Sequence, residues 1–126
     1  MKVAFATSTG IRVDRSFQKA DGFAIWDITP TEAFYVTTAF IRKQLLFHED
    51  QLVKRIEAIS NCALICAPEI KIPAQAKLAA HNIHVLKIRN ETAVEEIIGQ
   101  LQQVLMNKPA PWMYKSRGCN LRSSLE

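Results

Sequence analysis

Long apolar runs, paired cysteines and clustered glycines are what this 126-residue sequence lacks. No segment approaches the roughly 18 to 20 consecutive apolar residues that a membrane-crossing helix needs. The start, Met1-Lys2-Val3-Ala4-Phe5-Ala6, is too short an apolar run for a signal peptide. The expectation is a soluble, unexported protein that stays in the cytoplasm. Cysteines number three (Cys62, Cys66 and Cys119), and an odd count without an export signal fits a reducing compartment rather than a disulfide framework. There is no Cys-x-x-Cys, and His48, His81 and His84 do not form a zinc spacing. The four glycines lie too far apart for a phosphate-binding loop or a nucleophile elbow.

What is present fits one domain. Apolar residues make up 48% of the chain, enough for one compact core at this length and not for two. The net charge of +4 is unevenly spread. From Lys108 onward four bases face one acid, Glu126, so residues 1–107 are nearly neutral. A nucleic-acid-binding domain would carry its basic face on the folded part, so no nucleic-acid partner is expected. We expect residues 1–107 to form the domain and 108–126 to form a basic tail around Pro109, Pro111 and Trp112. Trp112 should pack back on the domain.

Residues 2–7 read as a central strand, and Ser8 to Asp21 as a long loop. Gly22–Ile28 and Ala33–Ile41 are strand-like and flank the turn Thr29-Pro30-Thr31-Glu32, which makes an antiparallel hairpin. Leu52, Val53, Ile56 and Ile59 recur at helical spacing and predict a helix from His48 to Ser60, with Asn61 as a left-handed stop. Cys62-Ala63-Leu64-Ile65-Cys66 is an uninterrupted apolar run, as in a buried parallel strand. A short helix from Pro73 to His81 and a strand from Ile83 to Ile88 follow. Thr92 and Glu95 have capping-box spacing ahead of a last helix striped by Val94, Ile97, Ile98, Leu101, Val104 and Leu105. The order β-β-β-α-β-α-β-α predicts an α/β fold: one mixed five-stranded sheet, its first strand central, with helices on both faces.

Several segments together carry a family resemblance. They are Lys2-Val3-Ala4-Phe5-Ala6-Thr7, Phe17 ahead of Gly22-Phe23-Ala24-Ile25-Trp26, and Leu52-Val53 with Ile56. They continue with Cys62, Ile70-Lys71-Ile72-Pro73-Ala74-Gln75-Ala76, Ile83-His84-Val85-Leu86-Lys87 and the ending Lys108-Pro109-Ala110-Pro111-Trp112. In this ordered set the chain resembles the NifX-like family of dinitrogenase iron–molybdenum cofactor biosynthesis proteins. The resemblance implies a ribonuclease-H-like three-layer fold and a carrier, not an enzyme. Its implied cargo is an iron–sulfur cluster that is a precursor of the iron–molybdenum cofactor. The implied partners are a NifB-type cofactor donor and a NifEN-type scaffold or apo-nitrogenase. Where many relatives read His-Phe-Gly, this sequence has Ser16-Phe17-Gln18, and it has Lys71-Ile72 in place of a Gly-Gly pair.

The candidate site follows from the predicted topology. If the first and fourth main strands are parallel neighbours, the Ser8–Asp21 and Pro68–Ile72 loops open at one carboxyl edge, where α/β sheets place ligands. Together they bear Arg12, Arg15, Lys19 and Lys71 against Asp14, Asp21 and Glu69, a net positive rim suited to an anionic cluster. Arg12, Arg15 and Lys71 are therefore expected cofactor-binding residues, and the resemblance adds Ser16, which stands where many relatives have the histidine. Cys66, at the strand end beside that rim, is the expected metal ligand, since thiolates hold iron–sulfur clusters. Its alternative reading is a small buried hydrophobe. Cys62, at the other end of the same strand, reads as core.

Two rival classes remain. A ribonuclease-H-like nuclease needs several carboxylates on its central strands, yet Lys2 to Thr7 offers only Ala4 and Ala6 at such positions. An interaction protein that binds no cluster is the second rival, and a cofactor titration separates the two.

Overall fold

A computed structural model describes residues 1–41 and 48–107. Five strands form the main sheet: β1 (Lys2–Ala6), β3 (Gly22–Ile28), β4 (Ala33–Phe40), β5 (Leu64–Ala67) and β6 (His84–Lys87). Their order is β4-β3-β1-β5-β6, so β1 is central, as its unbroken apolar run requires. The β1–β3 and β3–β4 pairs are antiparallel, and the β1–β5 and β5–β6 pairs are parallel. The hairpin turn works as its threonines predict. Thr29 Oγ1 accepts the Glu32 N–H at 2.9 Å, and Thr29 N–H reaches the Glu32 carbonyl at 2.8 Å.

Alternation along β1 and β5 divides the core in two. Val3, Phe5, Leu64 and Cys66 pack with Val94, Ile97, Ile98, Leu101 and Leu105 of α3 (Val94–Asn107). Ala4, Ala6, Ile65 and Ala67 face the other way. They pack with Ile56 of α1 (His48–Ala58), with Ile59 just beyond it, and with Ala74 and Leu78 of α2 (Ile72–Ala80). This is the expected three-layer α/β architecture.

Local details differ from the sequence reading. A second, two-stranded ribbon pairs β2 (Arg12–Val13) with β7 (Thr92–Ala93), so the long first loop is stitched to the entry of α3. Thr92 lies in that ribbon, its hydroxyl donating to the Arg89 carbonyl at 2.6 Å, and α3 starts at Val94, which puts Thr92 one residue ahead of the N-cap position of a capping box. The buried strand starts at Leu64, because Cys62 N–H still closes a turn onto the Ile59 carbonyl at 2.9 Å. Left-handed backbone falls at Asn82 (φ 60°) and Glu91 (φ 69°), not at Asn61. The expected tail, 108–126, with Trp112 and Cys119, lies outside the described residues.

Candidate functional site

The parallel β1–β5 pair carries the chain out at one edge, and the two expected loops do meet there. The Phe17 N–H donates to the Glu69 carbonyl at 3.0 Å, and Gln18 Nε2 donates to Glu69 Oε1 at 3.1 Å. The first loop is built largely from its own hydroxyls. Thr7 Oγ1 accepts the N–H groups of Thr9 (3.2 Å) and Gly10 (2.9 Å) and donates to the Arg12 carbonyl. Asp14 accepts from both the Ser8 amide, at 2.8 Å, and the Ser8 hydroxyl. Gly10, at φ +82°, takes the left-handed turn that an L side chain rarely adopts.

Beside this loop lies a cavity of about 480 Å³, lined by Thr7–Gly10, Arg15 and Asp21 on one wall. Gly22 and Ala24 of β3, with Tyr35, Thr38 and Phe40 of β4, form the other. Register explains the second wall. Gly22 pairs with Phe40 and Ala24 with Thr38, so these residues share the sheet face that carries α3. Trp26, paired with Tyr35 on the same face, meets the Tyr35 ring edge-on at 5.9 Å between centroids.

The expected site residues are only partly brought together. Arg15 lines the cavity and makes no ion pair among the described residues. Arg12 turns away, its Nη1 donating to the Glu91 carbonyl at 2.9 Å, a contact that braces the ribbon. Ser16 Oγ is buried and has no hydrogen-bond partner. Lys71 is exposed at the N-cap of α2, outside the cavity lining.

Cys66 is withdrawn from the rim. It is 0% exposed, and its position in β5 turns it toward the α3 layer among Phe5, Leu64 and Leu86. Burial raises the thiol well above its ordinary range, so it stays protonated. The alternation of a strand, which sequence alone does not orient, places its side chain in the α3-side core. Cys62 is also fully buried, in the opposite core layer.

Asp21, the acid on the lining, interacts electrostatically with a buried cation. Arg55 of α1 is 2% exposed, and its Nε donates to the Ala20 carbonyl at 3.1 Å. Desolvation lowers its pKa and the Asp21 charge raises it, while Nη2 lacks a hydrogen-bond partner. The hairpin residues Gly22, Tyr35, Thr38 and Phe40 were not foreseen as site residues. The available signal was a strand, Ala33 to Phe40, with large apolar side chains and no charge. Among the described residues, no group of three or more His, Cys, Asp or Glu side chains is placed to hold a metal ion.

The fold is a mixed-sheet α/β domain with its cavity at the carboxyl end of the central strand, the edge at which the α/β class commonly places ligands. Comparison with known proteins narrows it. The dinitrogenase iron–molybdenum cofactor family matches residues 1–104, and the chain belongs to that family. A NifX protein from Herbaspirillum seropedicae is 35% identical over 118 residues, 92% of this chain and 81% of the relative. A NifY protein from Azotobacter vinelandii is 29% identical over 94% of this chain, which spans 48% of that longer relative. A solved chain from Methanocaldococcus jannaschii, described as a candidate dinitrogenase, superposes with a TM-score of 0.61 at 19% identity. That match covers 83% of this chain and 90% of the other, and bears on the fold. Family and relatives tie the chain to nitrogen fixation and nitrogenase cofactor biosynthesis.

Proposed function

We propose that this protein is a non-enzymatic carrier that transiently holds an iron–sulfur precursor of the iron–molybdenum cofactor and passes it on. The observation that carries the reading is the cavity beside the first loop, with Arg15 on its lining and Asp21 in electrostatic interaction with Arg55. Clusters of this biosynthetic type are anionic, and a cavity of about 480 Å³ lies in the range of ligand sites. The donor is a NifB-type protein, and the recipient is a NifEN-type scaffold or apo-nitrogenase. Arg15 is the primary contact. Arg12 braces the β2–β7 ribbon beside the cavity, Ser16 and Lys71 lie outside its lining, and Cys66 acts only by packing.

The test is an anaerobic titration of the purified protein with a NifB-type cofactor, read by colour and by iron retained after gel filtration. Iron retained by the wild type and reduced in Arg15→Ala is the expected result. A colourless, iron-free protein after exposure would overturn it. That outcome would favour the second reading, an interaction protein of the same family. Its supporting observation is the run of exposed large apolar side chains along β4: Phe34, Tyr35, Val36 and Phe40.

A further inference from the structure

The cavity offers donors of one chemical kind. Five hydroxyl side chains (Thr7, Ser8, Thr9, Tyr35 and Thr38) and the Arg15 guanidinium line it, and neither Cys62 nor Cys66 does. The Thr7 and Ser8 hydroxyls are spent on the Arg12 carbonyl and on Asp14. Thr9 Oγ1 accepts the Ile11 N–H at 3.1 Å, which leaves its own proton to give. Tyr35 and Thr38 share one hydrogen bond, so that pair retains one O–H to give. Arg55 and Asp21 act on each other electrostatically, and among the described residues the Arg15 guanidinium on the lining makes no ion pair. Gly22, Ala24 and the aromatic rings supply an apolar floor that limits competition from water.

We propose that this cavity grips an anionic iron–sulfur cargo whose irons already carry all their sulfur ligands. Arg15 and the hydroxyls of Thr9 and the Tyr35–Thr38 pair hold it, with no bond from Cys62 or Cys66 to iron. The inference rests on the carrier reading above and specifies how the cargo is held. Charge-assisted hydrogen bonds to cluster sulfur form and break without cleaving an iron–sulfur bond, which suits a cargo that must leave again. Ligation by Cys66 would instead require opening the α3-side core and removing a proton from a buried thiol.

A synthetic dianionic iron–sulfur cubane capped by ethanethiolate separates the two modes. A cysteine ligand would form a new iron–sulfur bond, break the bond to ethanethiolate and pass its proton to the departing group. Free ethanethiol would then appear in step with binding. The expected result is that the cubane binds the wild-type protein anaerobically with no ethanethiol released. Affinity should fall as salt is raised. Arg15→Ala should bind about tenfold more weakly, the loss of one charged hydrogen bond, and Arg15→Lys should recover part of that loss. Release of ethanethiol in step with binding would overturn the proposal, as would an unchanged affinity in Arg15→Ala or no binding of the cubane. The titration with NifB-type cofactor is read independently, so a cargo held through cysteine would sink this inference and leave the carrier function standing.

Discussion

Gly22 stands opposite Phe40 at the floor of the cavity, and the space beside it is tight. A Cβ there would lie 3.2 Å from Phe40 Cδ1, 3.3 Å from the Ala39 carbonyl oxygen and 3.4 Å from Thr38 Cγ2. The carbonyl is backbone within a paired strand and cannot turn aside. Gly22→Ala should therefore destabilise the protein by about 1–2 kcal/mol, as small overpacking does, seen as a lower urea midpoint. Cys66 makes a different kind of prediction. Its folded-state pKa is raised by burial, so above the ordinary thiol value the unfolded chain holds fewer protons than the native one. Stability must then fall as pH climbs past that ordinary value, by up to about 1.4 kcal/mol per pH unit for this one group. Below it the contribution is constant. Cys66→Ala should flatten that alkaline loss, measured by urea midpoints on either side of the thiol range. An equally steep loss in the variant would mean that the thiol is not held protonated.

Two elements set the shape and the hazards of the site. The first loop is held on one side by the Ser8–Asp14 bonds and on the other by the β2–β7 ribbon. Asp14→Ala removes the acceptor of the Ser8 amide. It should speed hydrogen exchange at Ser8 and lower stability by about 1 kcal/mol, with the five-stranded sheet unchanged by circular dichroism. The second element, β4, is an edge strand of eight residues without charge or proline. Phe40 is 78% exposed and Phe34 56%, and such edges invite pairing between molecules. Val36→Lys should suppress concentration-dependent light scattering and shift the unfolding free energy by less than about 0.5 kcal/mol. Unchanged scattering would show that association, if seen, does not run through this edge.

On the scale of the whole molecule, one sheet serves two cores, and neither layer can unfold without exposing it. Ile97 of α3 and Ile65 of β5 lie in opposite layers, each nearly fully buried. Alanine at either position should cost about 2–5 kcal/mol through lost transfer and cavity terms. Each variant should lower the temperature of a single calorimetric transition. Two separated transitions in either variant would mean that the layers fold independently.

Periodicity and punctuation alone determined the element order here. The unbroken apolar β1, the threonine-braced hairpin and the α3 stripe of Val94, Ile97, Ile98, Leu101 and Leu105 are local patterns that only one arrangement satisfies. The meeting of the two loops followed from the parallel pairing of β1 and β5. What sequence could not supply was the facing of side chains. A strand alternates with period two, but which set of residues meets which helix layer depends on register, so the sequence left Cys66 open between a ligand at the rim and a small buried hydrophobe. The β2–β7 ribbon joins residues about eighty positions apart, and two residues on each side carry no periodic signal. The cavity has the same origin. Arg15 was legible as an exposed charge, but Gly22, Tyr35, Thr38 and Phe40 became its opposite wall only when the hairpin folded against the first loop.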